Sequence, residues 1–314
     1  MSTINPEETV DKILTHDNHG RKIITDVGDS CWGQLILPSK TERKNKTGEG
    51  MKMLVICSYI QGWLLLETLK KIEKQNPSRL NIIGLATDDP ASPTAKISKK
   101  RRIWRMYDEA DIISLETSMI ESGLEGGIPV YTGAVKTEYF RKLLKKWNPD
   151  VILVCVFGQI IDAPIINFPE LGIYNFHPAD LLAGYGAGPR PFQDLIDRDA
   201  QTSKLTIHQL TVELDAGPVV GQSPPINARF TDGSITDNIL VLEDKMIEPT
   251  DVIATLLTKA LILHKERGMK GNLQKLHFAR HFNDEMKQWL MKPISSKKPS
   301  ESMPQASGFA NYDI

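Results

Sequence analysis

A chain of 314 residues, 40% hydrophobic and 25% charged, is long enough for one large domain and has the composition of an ordinary globular protein. A formal net charge of −1 weighs against extended nucleic-acid binding and supplies no general attraction to an anionic membrane. The three cysteines lack metal-ligand spacing, the first residues are polar and acidic, and no apolar run approaches the roughly 18 residues of a membrane span, so a cytoplasmic protein with free thiols is expected.

Residues 1–50 read as an N-terminal extension and linker. Two short apolar runs, Ile23-Ile24 and Leu35-Ile36-Leu37, precede a polar, glycine-containing stretch from Lys40 to Gly50. Such an arm can pack on the core or on a second copy of the chain. From Met51 the pattern becomes regular. Met53 to Cys57 predicts a buried strand, Leu64 to Ile72 a helix, and Leu80 to Ala86 a second strand. Ile128 to Tyr131 predicts a third strand, and Glu138 to Trp147 an amphipathic helix that Asn148-Pro149 stops. Val151 to Phe157, Gly172 to Phe176, Leu205 to Leu210 and Val219-Val220 complete the strands.

Apolar strands alternating with helices predict an α/β fold with a doubly wound, mostly parallel, Rossmann-like sheet over residues 51–222. C-terminal helices, Ile235 to Met246 and Val252 to Lys265 with Pro249 between them, are expected to pack on it within 223–268. Residues 269–314 read as a largely disordered tail, with prolines and serines dominating its end. The basic run from Lys99 to Arg105 suits either a solvated face or contact with phosphates. His16, His19, His264, His277 and His281 have no evident pairing and read as surface residues.

The chemistry concentrates in two motifs. Tyr174-Asn175-Phe176-His177-Pro178 ends a strand, and 38 residues after the histidine comes Leu214-Asp215-Ala216-Gly217-Pro218. Residues i and i+2 of a strand share a face, so Asn175 and His177 point the same way. An amine attacking a carbonyl carbon needs a donor aimed at the oxygen and a group that takes the amine proton. Asn175 supplies the donor, His177 can join it when protonated, and Asp215 can hold the imidazolium or relay the proton. A strand-end cap is the non-catalytic reading of the same pair. A metal site of His177, His208 and Asp215 has suitable ligand types but leaves Asn175 without a role, so no metal is expected. A dinucleotide-binding dehydrogenase lacks its Gly-x-Gly-x-x-Gly turn after the first strand.

Asn-x-His-Pro followed by Leu-Asp-Ala-Gly-Pro resembles the folate-dependent formyltransferase family, which includes glycinamide ribonucleotide, methionyl-tRNA and sugar-nucleotide N-formyltransferases. Val156 to Ile161, Phe168 to Gly172 and Leu205 to His208 extend the resemblance from about Met53 to Gln222. It implies Asn175, His177 and Asp215 as the catalytic set. It also implies walls around the pterin of the co-substrate 10-formyltetrahydrofolate, formed by Phe157, Gly158, Gln159, Ile160 and Ile161 and by Leu210, Thr211, Val212, Glu213 and Leu214. Thr206 and His208 would lie beneath the site, His208 as support.

The departures bear on the acceptor. Where glycinamide ribonucleotide enzymes carry a glycine-rich phosphate loop, this chain has Ser58-Tyr59-Ile60-Gln61-Gly62-Trp63, and Gln159 replaces their acceptor-contacting arginine. Arg190 is the only base near the turn after the catalytic histidine. About 50 residues follow Lys265, fewer than the β-barrel of methionyl-tRNA enzymes, and the N-terminal extension is shorter than the regulatory domain of the family's hydrolases. The expectation is therefore formyl transfer to a small-molecule primary amine, first a nucleotide-linked amino sugar, with Ser58, Gln61, Gly62, Trp63 and Arg190 as acceptor contacts. Methionyl-tRNA or glycinamide ribonucleotide transfer, hydrolysis of the donor, and a decayed folate-binding protein are the alternatives. A homodimer is compatible with this reading.

Overall fold

The computed structural model describes residues 12–26, 33–46, 48–87, 119–188, 190–230 and 235–293. Their centre is a ten-stranded mixed sheet. Five parallel strands form its middle, in the order β6 (Val130–Gly133), β5 (Leu80–Thr87), β4 (Met51–Cys57), β7 (Val151–Cys155), β8 (Ile173–His177). Strand order reverses between β4 and β7, the place where ligands collect beyond the carboxyl ends of an open α/β sheet. The predicted parallel order is confined to these five strands, and antiparallel strands extend the sheet on both sides.

On one side, β1 (Lys12–His16), β2 (Lys22–Asp26) and β3 (Gly33–Leu37) form a meander whose last strand pairs antiparallel with β6. The N-terminal arm thus packs on the core by lengthening its sheet. Gly33 is required at that junction, because a Cβ there would lie 2.4 Å from the Tyr131 hydroxyl. Arg21 anchors the meander. Its buried guanidinium reaches Glu42 at 2.6 Å and Glu121 at 2.7 Å. On the other side, β10 (Thr206–Gln209) pairs antiparallel with β8, and β11 (Val219–Gln222) with β10. A separate pair joins β9 (Thr202–Ser203) to β12 (Ile226–Asn227).

Helices cover both faces and divide the core in two. One face buries Met53, Val55, Leu65, Leu69, Leu153 and Leu257 beneath α1 (Tyr59–Gln75) and a long helix over Ile235–Glu266. The other buries Leu54, Ile56, Ile152 and Val154 beneath α2 (Glu138–Trp147), whose Thr137 caps it by accepting from the Phe140 amide. The short α3 (Ala163–Ile166) and α4 (Pro191–Asp197) lie between strands. No helix among the described residues is long and apolar enough to cross a membrane.

Three expectations are corrected. The two C-terminal helices are one, α5 (Ile235–Glu266), running through Pro249. A proline removes one backbone hydrogen bond, but the Thr250 hydroxyl donates to the Met246 carbonyl at that turn, and Leu242, Met246, Ile253 and Leu257 bury both halves in the same core. The tail is ordered at least to residue 293. Its α6 (Asp284–Met291) and the preceding turn bury Phe278, Phe282, Met286 and Leu290, and Gly221 leaves room for the Phe278 ring. His264 is buried rather than on the surface, and its Nε2 has no partner among the described residues. The run Lys99 to Arg105 and Cys31 lie outside the described residues.

Candidate active site

The antiparallel register of β8 and β10 sets Asn175 opposite His208 and His177 opposite Thr206. Asn175 Nδ2 lies 3.1 Å from His208 Nε2. The other ring nitrogen of His208, Nδ1, is 3.0 Å from the Gln209 carbonyl, which can only accept, so Nδ1 carries the hydrogen and Nε2 accepts from Asn175. Burial, reinforced by the neighbouring His177 and opposed by Asp215, pushes His208 down to about 4, which keeps the ring neutral near pH 7. The Asn175 amide is therefore held in one orientation, with its second N–H not used within the described protein.

His177 follows the same pattern. Its Nε2 lies 2.7 Å from the Gly186 carbonyl, so that nitrogen donates and Nδ1 faces Asp215 Oδ1 at 3.7 Å. His208 Nε2 lies 3.6 Å from the same oxygen. The side chains of His177 and Asp215 are each 7% exposed and that of His208 is fully buried. Three ligand-type atoms thus converge around one spot: an oxygen of Asp215 and a ring nitrogen from each histidine.

Two loops hold this geometry. Asp215 sits at φ 52°, in the left-handed region that aspartate tolerates better than most side chains. Two residues on, Gly217 packs so close to Gln209 that a Cβ would fall 1.8 Å from its carbonyl oxygen, so this turn needs glycine. The Asp215 Oδ2 atom accepts from the Gly188 amide at 2.8 Å. The loop that supplies both Gly186 and Gly188 is braced from α4. Asp194 accepts from the Gly186 amide at 2.6 Å, and Arg198 stacks 4.4 Å over the Tyr185 ring while donating to the Gly184 carbonyl.

The remaining expected contacts divide sharply. Ile160, Val212 and Leu214 are 60%, 72% and 61% exposed, unusually open for large apolar side chains. Leu182, after β8, is also exposed. Gly158 and Glu213 are exposed, Thr211 bonds its hydroxyl to the Glu213 carbonyl, and Phe157, Leu210 and Ile161 pack on the core. Gln159 is buried, with its amide donating to the Gly133 carbonyl at 2.7 Å and accepting from the Val135 amide at 3.1 Å. Its side chain clamps the turn after β6 and has little left for a ligand. Just before Phe157, Val156 adopts φ 47°, a costly conformation for a β-branched residue at the end of a sheet strand.

The acceptor candidates need a larger correction. Ser58 and Gln61 are buried, and Ser58 pairs with the Thr87 hydroxyl while Gln61 Nε2 donates to Thr250 Oγ1 at 3.0 Å. Gly62 lets α1 approach β4, since a Cβ would meet that of Cys57 at 2.9 Å, and Trp63 packs partly buried against the core. Helix packing accounts for this segment. Only Arg190 is exposed. Two cavities, of about 320 and 240 Å³, are lined by other residues, including Asp199, Gln201 and Arg229 in the first and Arg79, Lys265 and Glu266 in the second.

The family model described as formyl transferase matches residues 92–250, about half of the chain. Methionyl-tRNA formyltransferase of Thermotoga maritima is 37% identical over 81 residues, which cover 26% of this chain and 25% of that protein. The enzyme of the same name from Acidithiobacillus ferrooxidans is 31% identical over 163 residues, 48% of this chain and 51% of that protein. The chain spans between a quarter and about half of the length of such relatives. The crystal structure of phosphoribosylglycinamide formyltransferase from Anaplasma phagocytophilum superposes with a TM-score of 0.51 at 17% identity, over 69% of this chain and 89% of that one, which is a likeness of fold.

Proposed function

The chain belongs to the formyl transferase family, and on that premise we propose that it moves a formyl group from 10-formyltetrahydrofolate to a primary amine of a small-molecule acceptor. One observation carries this reading: an Asn175 amide fixed by a neutral His208, beside the converging acceptors of His177 and Asp215. The free Asn175 N–H donates to the formyl oxygen as that oxygen gains negative charge. A single preorganised donor of this kind contributes a rate factor of roughly 10² to 10³. Asp215 and His177 Nδ1 take the proton that the attacking amine must lose. Gly188 and Gly186 keep both groups from turning away.

The co-substrate fits the surroundings. We assign the exposed apolar side chains of Ile160, Val212 and Leu214 to cover a flat pterin ring, with main-chain groups of the 210–215 loop to bond it. The acceptor we favour is a nucleotide-linked amino sugar. The buried, internally bonded Ser58 and Gln61 and the committed Gln159 leave no glycine-rich phosphate cradle of the ribonucleotide kind, which weighs against glycinamide ribonucleotide. Exposed Arg190, two residues beyond the Gly188 that holds Asp215, is the cation we assign to an acceptor phosphate.

Purified protein given 10-formyltetrahydrofolate and a panel of amines tests this, with tetrahydrofolate release as the readout. Release that depends on an amino-sugar nucleotide is expected. Release without any amine would mean hydrolysis, and binding of the folate without turnover on any amine would mean a decayed site.

A further inference from the structure

The three acceptors beside Asn175 have a second consequence. Each histidine donates its outer ring N–H to a main-chain carbonyl, His177 Nε2 to Gly186 at 2.7 Å and His208 Nδ1 to Gln209 at 3.0 Å. This is how metal-binding imidazoles are held, with the remote nitrogen tied to a carbonyl and the near one free to coordinate. The near nitrogens and one Asp215 oxygen all lie within 4.8 Å of one another, and the two edges that meet at Asp215 measure 3.7 and 3.6 Å. Tetrahedral zinc with bonds of about 2.0 to 2.1 Å sets neighbouring ligand atoms about 3.4 Å apart. Two edges are thus within a few tenths of an ångström of that spacing, and the third, within 4.8 Å, closes by rotation of the two rings toward the ion.

We propose that this cluster captures a divalent transition-metal ion, zinc first, and that capture switches the site off. Two imidazoles and one carboxylate form a borderline-soft donor set that suits zinc, cobalt or copper better than magnesium or calcium. The His208 Nε2 lone pair, which Asn175 now engages, is turned toward the ion, and His177 coordinates through Nδ1 once that nitrogen carries no proton. The ion takes the His208 lone pair that the Asn175 amide uses, so Asn175 loses its support. It also occupies the His177 and Asp215 atoms that receive the amine proton. The metal is therefore a competitor of catalysis here and not its cofactor. Inhibition rests on the formyl-transfer reading, whereas binding rests on geometry alone.

The test separates the two. Chelator-treated full-length protein is titrated with Co²⁺, whose visible absorption reports tetrahedral coordination, and Zn²⁺ then displaces it. One equivalent with a tetrahedral spectrum is expected. His208→Gln and Asp215→Asn, each checked by circular dichroism for an intact fold, should weaken binding at least about 10-fold, since even lost outer contacts cost that much. No tetrahedral spectrum, or affinity unchanged in both variants, overturns the site. In the turnover assay, Zn²⁺ should inhibit stoichiometrically and a chelator should restore the rate. Tight binding with full turnover overturns the switch. Metal binding in a protein that never turns over leaves the site standing and removes the formyl-transfer reading instead.

Discussion

Two polar clusters of this molecule, one centred on buried Arg21 and one on buried histidines, contrast. Around Arg21, the carboxylates of Asp17, Glu42 and Glu121 close on a guanidinium, at 3.7, 2.6 and 2.7 Å, so a cation of the protein itself sits at the centre. Around Asp215, two imidazole nitrogens and a carboxylate oxygen converge with no Lys or Arg among them in the described residues. Acceptors gathered about a resident cation hold structure, and the Arg21 cluster ties the N-terminal meander to the body of the sheet. Acceptors gathered on one another await a proton or an ion from outside, which is what a group-transfer site requires.

The sharpest way to break that contrast is to exchange the consequences. Asn175→Ala should lower kcat roughly 10² to 10³-fold, with little change in Tm. A loss below 10-fold in steady-state assays would remove the oxyanion role. Arg21→Met should do the reverse. It strands Glu42 beside Asp17 and costs about 3 kcal/mol, the low end for a broken buried pair because the Glu121 side chain is 42% exposed. Denaturant unfolding would show the loss, and kcat at a temperature where the variant is folded should stay within about two-fold of the parent. Equal damage to kcat would mean that the two clusters are not separate.

Asp194→Asn probes the brace behind the site. It weakens the hold on the Gly186 amide, whose residue fixes His177, and should reduce kcat by about 10-fold, as lost supporting contacts commonly do. The KM for the folate should be nearly unchanged, and a rise in KM alone would assign Asp194 to binding. The smallest effect is in acid. Burial would raise Glu42, but hydrogen bonds from Arg21 and Ser39 outweigh it and hold the carboxyl at about 2 against an ordinary 4.5. A carboxylate depressed on folding stabilises above its unfolded value, so this contribution is complete above pH 4.5 and fades as pH falls toward 2. Thermal unfolding of Glu42→Gln across that range should show a shallower acid slope than the parent, and identical slopes would contradict the pairing.

Much of the sheet was legible because its central strands are continuous apolar runs. Glu138–Trp147 is the helix that the spacing predicts, bounded by Thr137 and Asn148-Pro149. The meander was not legible, since each of its strands has five residues and its partner β6 lies about a hundred residues away in the chain. The ordered segment after residue 269 did carry a signal: Phe278, Phe282, Met286 and Leu290 are large apolar residues at regular intervals, the last two four apart on one face of α6. In the site, Asn175, His177 and Asp215 could be paired from motif order. The main-chain groups of Gly186 and Gly188 and the brace from Asp194 could not, because they depend on how a glycine-rich loop folds back. Ser58 and Gln61 misled for the opposite reason. Polar residues after a strand read as ligand contacts, but here both are buried, with the Ser58 hydroxyl on Thr87 and the Gln61 amide nitrogen on Thr250.

Isotope-labelled formyl on 10-formyltetrahydrofolate, followed by NMR in the presence of an amino-sugar nucleotide, tests formyl transfer by this cluster most directly. The label should move into the formamide of the acceptor with the parent protein, and hardly at all with Asn175→Ala or Asp215→Ala. Label appearing as free formate, or undiminished transfer by both variants, would contradict it.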